Sequence, residues 1–528
     1  MYGGFLCVGS TANVTLSDNV AFESNEAAYG GVFAFQSEEI SLSLLSPTVE
    51  PNPVMNLSAS SLVTFVSNSA LVSGGVGYFE ILEELIAQPD RNVSTQNSTE
   101  SMVDNVTIVL KGGVFHNNTA RESGGVFSFQ TADEINNDSP SLVVEVSDSV
   151  FSKNRACLGG ALAVQRGHMS LFNSSFVASR AYFGGAIYAG PGGQADCTLS
   201  SATDTKALGG GLLFNQAGSH AAIHNADVSG VESVSQPDAL QDSVLVGEGV
   251  CGTLEVFSWG HGGAFYVSST AGLVIDGSSL QCSAEGKGGC IYLNTLAGLN
   301  ITGGAVNSSA DSGGFIFSES QSAAHIVGLE SSKSSADSGG FAFISSEASL
   351  QLELSIISSA ALSVGGALTL GTRASCLMRN VSINSVAGDL GGLAYLNLRS
   401  ELSMENVQGA RYVENDLRIE TELLTPYNGG ALYQEAGSIV AVSSCSFEKY
   451  LSKRNVGFAF LQENSQLSLS TATVAECECS RGGALYLNDG CSLTVNSANV
   501  LSSSAEIAGG MCLHPDSACM YWSASCQT

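Results

Sequence analysis

Residues 184–189 read GGAIYA, a pair of glycines followed by a short apolar stretch. Such pairs recur along the chain, and from Gly262 to Gly391 the steps between them are 26, 25, 26, 26 and 26 residues. A fixed period of this length is typical of proteins in which each repeat buries its apolar face against its neighbours. The pairs begin at Gly3, Gly30, Gly74, Gly124, Gly159, Gly184, Gly209, Gly262, Gly288, Gly313, Gly339, Gly365, Gly391, Gly429, Gly482 and Gly509.

Each repeat has room for about three short strands separated by corners. The stretch after the glycines is apolar on both faces and often closes with Gln, Asn, Ser or Glu, which is typical of a buried strand. A second motif precedes the glycines, as in FSKNRACLGG over 151–160, and a third segment alternates apolar and polar residues, as in ASLQLELSII over 348–357. Glycine allows tight corners and close approach of stacked backbones. The pattern therefore predicts an all-β fold, a parallel β-helix or β-solenoid.

Two of these motifs are similar to the repeats of chlamydial polymorphic outer-membrane proteins. The tetrapeptide GGAI stands at 184–187, and FxxN stands at 22–25, 65–68, 115–118 and 151–154. The glycine half of the resemblance extends over almost the whole chain, whereas the FxxN half fades after about residue 180. The resemblance implies a right-handed parallel β-helix of the pectin-lyase-like kind and a function in adhesion.

The phase of the repeats crosses the chain of 528 residues without a linker, so we expect one elongated, rod-like domain. We place a β-helix of roughly 18 coils at 1–510, without its N-terminal cap, and a Cys-containing C-terminal tail at 511–528. Longer gaps predict surface-loop insertions at about 37–60, 80–107, 131–142 and 400–426. The first glycine pair already lies inside a repeat and no signal or anchor is recognisable, so we expect the chain to be a fragment.

The charge balance restricts the partners. The formal net charge is -30 with 19 basic and 49 acidic residues, which argues against nucleic acid and anionic membrane surfaces. Only 13% of residues are charged, so the surface must consist largely of short uncharged polar side chains. No apolar run approaches the roughly 20 residues that span a bilayer. We therefore expect an exported acidic protein, extracellular or at the cell surface, whose partner is a cell-surface protein or glycan.

The 14 cysteines leave two interpretations open: small buried hydrophobes, as Cys290 in GGCIYLN suggests, or disulfides formed in an oxidising compartment. Paired CxxC motifs of a zinc site are absent from the sequence, and we expect neither a metal nor another cofactor. Sequons indicate a glycoprotein if the protein passes through a eukaryotic secretory pathway. The candidate N-glycosylation sites are Asn13, Asn56, Asn92, Asn97, Asn105, Asn117, Asn173, Asn300, Asn307 and Asn380.

An aromatic residue often occupies the third position after the glycines. It could belong to a stack inside the coil, or to an outward ladder whose tyrosine hydroxyls need water and which could bind sugar rings or a partner. The members of this candidate ligand-binding ladder are Tyr78, Tyr188, Tyr266, Tyr292, Phe317, Phe343, Tyr395, Tyr433 and Tyr486.

The sequence favours a non-enzymatic repeat protein that mediates adhesion or presents ligands. One alternative is a carbohydrate-active β-helix enzyme, a lyase or hydrolase, because GHGG at 260–263 resembles the GHG of polygalacturonases. That family also needs clustered Asp residues, and no Asp-Asp pair occurs in this chain. The other alternative is a purely structural wall or matrix component. We expect no catalytic residues.

Overall fold

The computed structural model describes residues 6–8, 13–16, 20–37, 54–59, 63–81, 106–131, 142–236, 260–387, 389–411, 428–452, 456–481, 483–501, 504–507, 511–513, 518–521 and 524–527. The regular secondary structure in these ranges is β-strand. The chain divides into two compact units, Met1–Trp259 and Gly260–Thr528. In each unit the strands form parallel pairs between successive turns of the chain, so each unit is a right-handed parallel β-helix, as predicted.

The strands that follow the glycine pairs form the first sheet. In the first unit they are Leu6–Val8, Phe33–Ser37, Gly77–Ile81, Phe127–Thr131, Leu162–Gln165, Ile187–Ala189 and Leu213–Asn215. In the second unit they are Phe265–Val267, Ile291–Leu293, Ile316–Ser318, Ala342–Ile344, Leu368–Leu370, Ala394–Leu396, Leu432–Gln434, Ala459–Leu461, Leu485–Leu487 and Met511–Leu513.

The alternating segments form the second sheet, with apolar side chains inward and mostly polar ones outward, although Ile439 and Ala441 also lie on the outer face. In the first unit they are Asn13–Leu16, Val54–Ala59, Val106–Lys111, Leu142–Ser147, His168–Phe172, Gln194–Thr198 and His220–His224. In the second unit they are Gly272–Asp276, Gly298–Thr302, Ala323–Val327, Ser349–Glu353, Ser375–Arg379, Glu401–Glu405, Ile439–Ser443, Gln466–Ser470, Ser492–Asn496 and Ala518–Tyr521.

The strands that lead to the next glycine pair form the third sheet. In the first unit they are Ala21–Glu23, Glu26–Tyr29, Thr64–Val66, Ser69–Ser73, Val114–His116, Thr119–Ala120, Val150–Ser152, Arg155–Leu158, Ser175–Val177, Arg180–Phe183, Ser201–Thr203, Lys206–Ala207 and Asp227–Ser233. In the second unit they are Ser279–Ala284, Ala305–Ser309, Glu330–Ser338, Ile356–Val364, Ser382–Ala387, Gln408–Arg411, Ser446–Glu448, Thr473–Ala475, Ala498–Leu501 and Ala524–Gln527, with Glu478–Arg481 and Ser504–Ile507 as a separate pair.

The two glycines of a corner have different tasks, as Gly288 and Gly289 illustrate. Gly288 has φ +69°, a left-handed conformation that side chains other than glycine rarely adopt. A Cβ on Gly289 would lie 1.9 Å from the carbonyl oxygen of Gly314 on the next rung. The pair is therefore required both for the bend and for the stacking distance between rungs.

The FxxN motif builds two ladders inside the first unit. The phenylalanine rings stack at 4.8 to 5.1 Å between centroids, which joins Phe22, Phe65, Phe115, Phe151 and Phe176. These rings pack in the core beside the first sheet, where Phe127 meets Phe115 edge-on at 5.1 Å. The stack accounts for the recurrence of phenylalanine at this position.

The asparagines of the motif form a hydrogen-bonded column beside the phenylalanines. Asn118 is fully buried, and its Oδ1 accepts hydrogen bonds from the backbone N and the Nδ2 of Asn68, each at 3.0 Å. Its Nδ2 donates to the carbonyl oxygen of Phe65 at 3.0 Å. Asn154 repeats the same bonds one rung further, toward Asn118 and Phe115. Each asparagine thus satisfies buried backbone groups of a neighbouring repeat.

The third sheet is bent in some rungs and continuous in others. Val150–Ser152 and Arg155–Leu158 are separate strands, because Lys153 between them takes φ 54°. The same break follows residues 175–177 and 201–203, where FxxN is absent, with Ala178 and Asp204 each at φ 53°. In the second unit the strand can run through without a break, as in the nine-residue strand Glu330–Ser338. The bend therefore depends on the residue with positive φ and not on the asparagine of the motif.

Several predicted boundaries shift in the structure. The bend near Gly209 is made by Gly210, with φ 62°, so the pair in register is Gly210–Gly211. Residues 54–59 and 401–411, predicted to be parts of insertions, are largely strands of the second and third sheets. Of the four predicted insertions, residues 38–53, 60, 82–105, 132–141 and 412–426 lie outside the described residues, whereas their end residues at 37, 80–81, 106–107, 131 and 142 belong to strands.

The segment predicted as a tail also contains strands. Met511–Leu513, Ala518–Tyr521 and Ala524–Gln527 pair in parallel with the three strands of the preceding rung. Where described, the backbone of this segment therefore continues the coil of the second unit. The division of the chain into one array and a tail stays a prediction.

The buried side-chain amide of Gln434, in the second unit, lacks hydrogen-bond partners. Gln434 lies at the inward-facing end of a first-sheet strand, in register with Leu396 and Leu461. It is 0% exposed, and both atoms of its amide are without a hydrogen-bond partner. A buried polar group without a partner lowers stability.

Replacing Gln434 by leucine should therefore stabilise the protein. We expect Gln434→Leu to raise the free energy of unfolding of the second unit by about 1–2 kcal/mol, because an unsatisfied amide is exchanged for the side chain that neighbouring rungs carry. Urea unfolding followed by circular dichroism measures the change, with Gln408→Leu, at an exposed position, as control. Unchanged or lower stability of Gln434→Leu would show that the amide has partners in solution.

Candidate functional site

The aromatic ladder lies on the outer side of the first sheet. In strand Ile291–Leu293 both flanking residues are fully buried in the core, so the alternation of a strand directs Tyr292 to the opposite face. The ladder is nevertheless largely covered, since Tyr292 is only 6% exposed and Tyr266 4%. The register therefore faces outward, but without an open surface of rings.

Most ring faces of the ladder in the second unit are occupied by neighbouring rings. Tyr266, Tyr292, Phe317 and Phe343 form one stack with centroid distances of 4.9, 5.8 and 4.8 Å. Thr369 interrupts the column, after which a second stack joins Tyr395, Tyr433, Phe460 and Tyr486 at 5.5, 5.2 and 5.0 Å. Phe460 lies in VGFAFLQ, residues 456–462, a stretch that has a single glycine where other rungs have a pair. A sugar could stack only at the ends of these columns.

The tyrosine hydroxyls are bonded to the polar residue that closes the strand of the next rung. Tyr292 Oη donates to Glu319 Oε1 at 3.0 Å, and Tyr395 Oη donates to Glu435 Oε1 at 2.6 Å. Tyr188 pairs in the same way with Gln216 in the first unit. Where the next rung closes with Ser345 or Gly371, the ladder carries Phe317 or Phe343 instead. The ladder is thus a stabilising element, and ligand binding by it stays a prediction.

At one end of the ladder four titratable side chains meet. The His261 ring stacks on Tyr292 at 4.9 Å, and Nδ1 of His261 accepts a hydrogen bond from the backbone N of Lys287 at 3.2 Å. Lys287 Nζ lies 2.8 Å from Glu319 Oε1 and 4.3 Å from the centroid of Phe317. Sequence reasoning missed this cluster, because its members come from three rungs.

The environment of the cluster shifts the pKa values of two of its side chains. Burial, and then the positive charge of Lys287, lower the pKa of the His261 imidazole below its ordinary value. Burial, and then Tyr266 and Glu319, raise the pKa of the Tyr292 phenol far above its ordinary value. At neutral pH the imidazole is therefore neutral and the phenol keeps its proton. The cluster combines a neutral base with one ion pair, a combination that can move a proton only if a substrate displaces the existing contacts.

The bond between Tyr292 and Glu319 can be tested by a double-mutant cycle. We expect Tyr292→Phe to lower the free energy of unfolding of the second unit by about 1–2 kcal/mol, because Glu319 loses a donor in a partly buried site. In a Glu319→Ala background the same change should have an effect of less than about 0.5 kcal/mol. Equal effects in both backgrounds, measured by urea unfolding, would show that the bond contributes nothing.

The second unit also carries a groove on the outer face of the second sheet. Its volume is about 670 Å³, and it extends over six strands from Gly298–Thr302 to Ile439–Ser443. One outward column in register consists of Asn300, His325, Gln351, Leu377, Ser403 and Ala441. Beside it a second column begins with the small residues Gly298, Ala323, Ser349 and Ser375 and continues to Glu401. Sequence alone shows only ordinary outward positions here.

The cysteines show both predicted behaviours. Cys290 is not an isolated hydrophobe, because it forms a disulfide with Cys282, eight residues earlier, across the glycine corner. Cys157 is disulfide-bonded as well. In contrast, Cys197 and Cys376 are free and buried, and burial raises the pKa of each thiol to about 12. These two thiols therefore act as small core residues.

The candidate glycosylation sites fall into three groups. Asn173, Asn300, Asn307 and Asn380 are exposed, and Asn117 is half-buried. Asn13 and Asn56 lie in strands of the second sheet, whereas Asn92, Asn97 and Asn105 lie outside the described residues. Use of these sites stays a prediction.

No family model and no curated protein matches the chain. Over the described ranges, no group of three or more His, Cys, Asp or Glu residues is placed to hold a metal ion. None of the described residues form a helix long and apolar enough to cross a membrane.

Proposed function

We propose that this protein is a non-enzymatic, extracellular or cell-surface repeat protein that mediates adhesion or presents ligands on its β-helical units. The observation that carries the proposal is the regular outer surface of the second and third sheets. In strands such as Glu401–Glu405 and Ala305–Ser309 every second side chain is exposed, and many of these side chains are polar, as Ser403, Asn307 and Ser309 are. Such a surface offers repeated hydrogen-bonding groups at fixed spacing.

Three further features support this proposal. The FxxN and GGAI motifs have distinct structural tasks in the coil, which favours kinship with the polymorphic outer-membrane protein repeats. The disulfide between Cys282 and Cys290 favours an oxidising compartment. The net charge of -30 disfavours nucleic acid as partner. The partner we propose is a cell-surface protein or glycan.

Attachment and localisation test the proposal. Beads coated with the full chain should attach to cultured epithelial cells in a saturable manner, and soluble protein should compete. A full-length tagged protein should reach the outside of its native cell. Attachment no greater than that of albumin-coated beads, or residence of the tagged protein in the cytosol, would contradict the proposal.

The cluster of His261, Lys287, Tyr292 and Glu319 favours a second candidate, cleavage of a polysaccharide. The imidazole of His261 and the carboxylate of Glu319 both contact Tyr292, and imidazole and carboxylate groups that act together occur in acid–base catalysis. Turnover of a polysaccharide that His261→Ala and Glu319→Gln each abolish, with the fold retained, would establish this function. Absence of turnover in the native protein would leave the adhesive function as the better account.

A further inference from the structure

We propose that the groove on the second sheet of the second unit binds a neutral, linear oligosaccharide. This inference rests on the proposed adhesive function and assigns it a site and a ligand class. The groove lies within the size range of ligand pockets, about 300–1,000 Å³. Its six strands extend over about 24 Å at the spacing of parallel strands, which suits an extended chain rather than a compact ligand.

The lining favours a ligand rich in hydroxyl groups. Asn300, His325 and Gln351 stand on three consecutive rungs, and their amides and imidazole can both donate and accept hydrogen bonds. Nε2 of Gln351 donates to Glu353 at 2.5 Å, which orients the amide. Leu377 on the next rung offers an apolar contact for one face of a sugar ring. The column therefore combines the two kinds of contact that a sugar chain needs, hydrogen-bonding groups on three rungs and an apolar side chain on the next.

The neighbouring column of small residues gives the groove its depth. Gly298, Ala323, Ser349 and Ser375 have no more than two side-chain heavy atoms each, so a ligand can lie close to the sheet beside the longer side chains. Ile439, 40% exposed, lies at the far end. The small residues and the longer ones together make a trough along the stack of strands.

An extended peptide fits this groove less well. Strand Ser349–Glu353 pairs along its length with Ala323–Val327 on one side and Ser375–Arg379 on the other. A peptide that adds to a sheet needs an unpaired edge, and the groove lies on the face of interior strands. Recognition must therefore come from side chains.

The charge of the groove lining and of the whole chain indicates which class of carbohydrate the groove can bind. Glu401 is the carboxylate in the lining, and the lining contains no Lys or Arg to bind an anionic sugar. The chain carries a net charge of -30, which repels uronates and sulfated glycans. The lining and the overall charge together favour an uncharged ligand.

The experiment measures binding of full chain made in a bacterium, where Asn300 carries no N-glycan. Probes are hexasaccharides of β-1,4-linked glucose and of β-1,4-linked mannose, with oligogalacturonate as the anionic comparison. We expect one neutral probe to bind and oligogalacturonate not to bind. His325→Ala combined with Gln351→Ala should weaken binding at least tenfold, and Ser349→Phe, which fills the groove, should do the same.

A matched control changes two exposed amides on the third sheet, Asn307→Ala with Gln408→Ala, and should alter affinity less than twofold. Circular dichroism and the unfolding midpoint verify that each variant folds. Binding by the groove variants at native affinity, or failure of the native chain to bind a neutral probe, overturns the inference. If cell attachment persists in either case, the adhesive function stands and only the groove assignment fails.

Discussion

Gly289→Ala is expected to lower the free energy of unfolding of the second unit by at least about 4 kcal/mol, a large value for one methyl group. The added Cβ would lie 1.9 Å from the carbonyl oxygen of Gly314 and 2.7 Å from that of Ser309. Both atoms belong to the backbone of the adjacent rung, so no side-chain rotation relieves the contact. The rungs must separate, and their hydrogen bonds lengthen.

Gly298→Ala is the matched control in the same unit. A Cβ at Gly298 meets no atom within 4 Å, and its φ lies outside the left-handed region. This change should be neutral or stabilise the unit by up to about 1 kcal/mol, because glycine weakens a strand. Urea unfolding and limited proteolysis measure both variants. Similar stability of the two variants would contradict the stacking role of the second glycine.

Asn118→Ala is expected to destabilise the first unit by at least about 3 kcal/mol. The change removes the acceptor of the backbone N and of one Nδ2 hydrogen of Asn68, whose Nδ2 keeps its bond to Phe22, and it removes the donor to the carbonyl oxygen of Phe65. Each unsatisfied buried group costs about 1–3 kcal/mol, and water cannot reach a column that is fully buried. The effect should concentrate in the rungs on either side of Asn118.

Asn117→Gly serves as control for the asparagine column. Asn117 has φ 53°, which glycine adopts readily, and its side chain makes one exposed bond to Ser67 at 3.2 Å. We expect a change below about 1 kcal/mol. Hydrogen exchange of residues 63–131 is the measurement. Equal loss of protection in the two variants would show that the buried amide is not the stabilising group.

The fold was predictable because its strongest constraint is local. A corner that needs positive φ and a close neighbouring backbone admits almost only glycine, so the glycine pairs record most turns of the coil. Among the pairs in the described residues, the phase was misread at Gly209, where Gly209, Gly210 and Gly211 are consecutive and the sequence cannot tell which one bends. The FxxN motif was equally readable, since its two ladders require the same residue on each rung.

The candidate site was less predictable because its contacts connect different rungs. Lys287 and Tyr292 flank one glycine corner, whereas His261 and Glu319 come from the rungs before and after it, so their meeting depends on the register of the stack. The sequence did contain a signal of these contacts. The polar residue that closes each apolar stretch has a long side chain where the ladder residue of the preceding rung is Tyr292 or Tyr395. The disulfide of Cys290 was hidden for a similar reason, since its partner lies across a corner.

The ladder tyrosines are hydrogen-bonded to the following rung, and this limits which repeats can be deleted from such a chain or inserted into it. Deleting residues 314–339 would keep the glycine phase but place Ser345 where Tyr292 now meets Glu319, which leaves a covered hydroxyl without its acceptor. Deleting 340–365 would bring Gly371 beside Phe317, which has no hydroxyl to lose. Repeats of the same length are therefore not interchangeable, and gain or loss of a rung is easiest at the phenylalanine positions of the column.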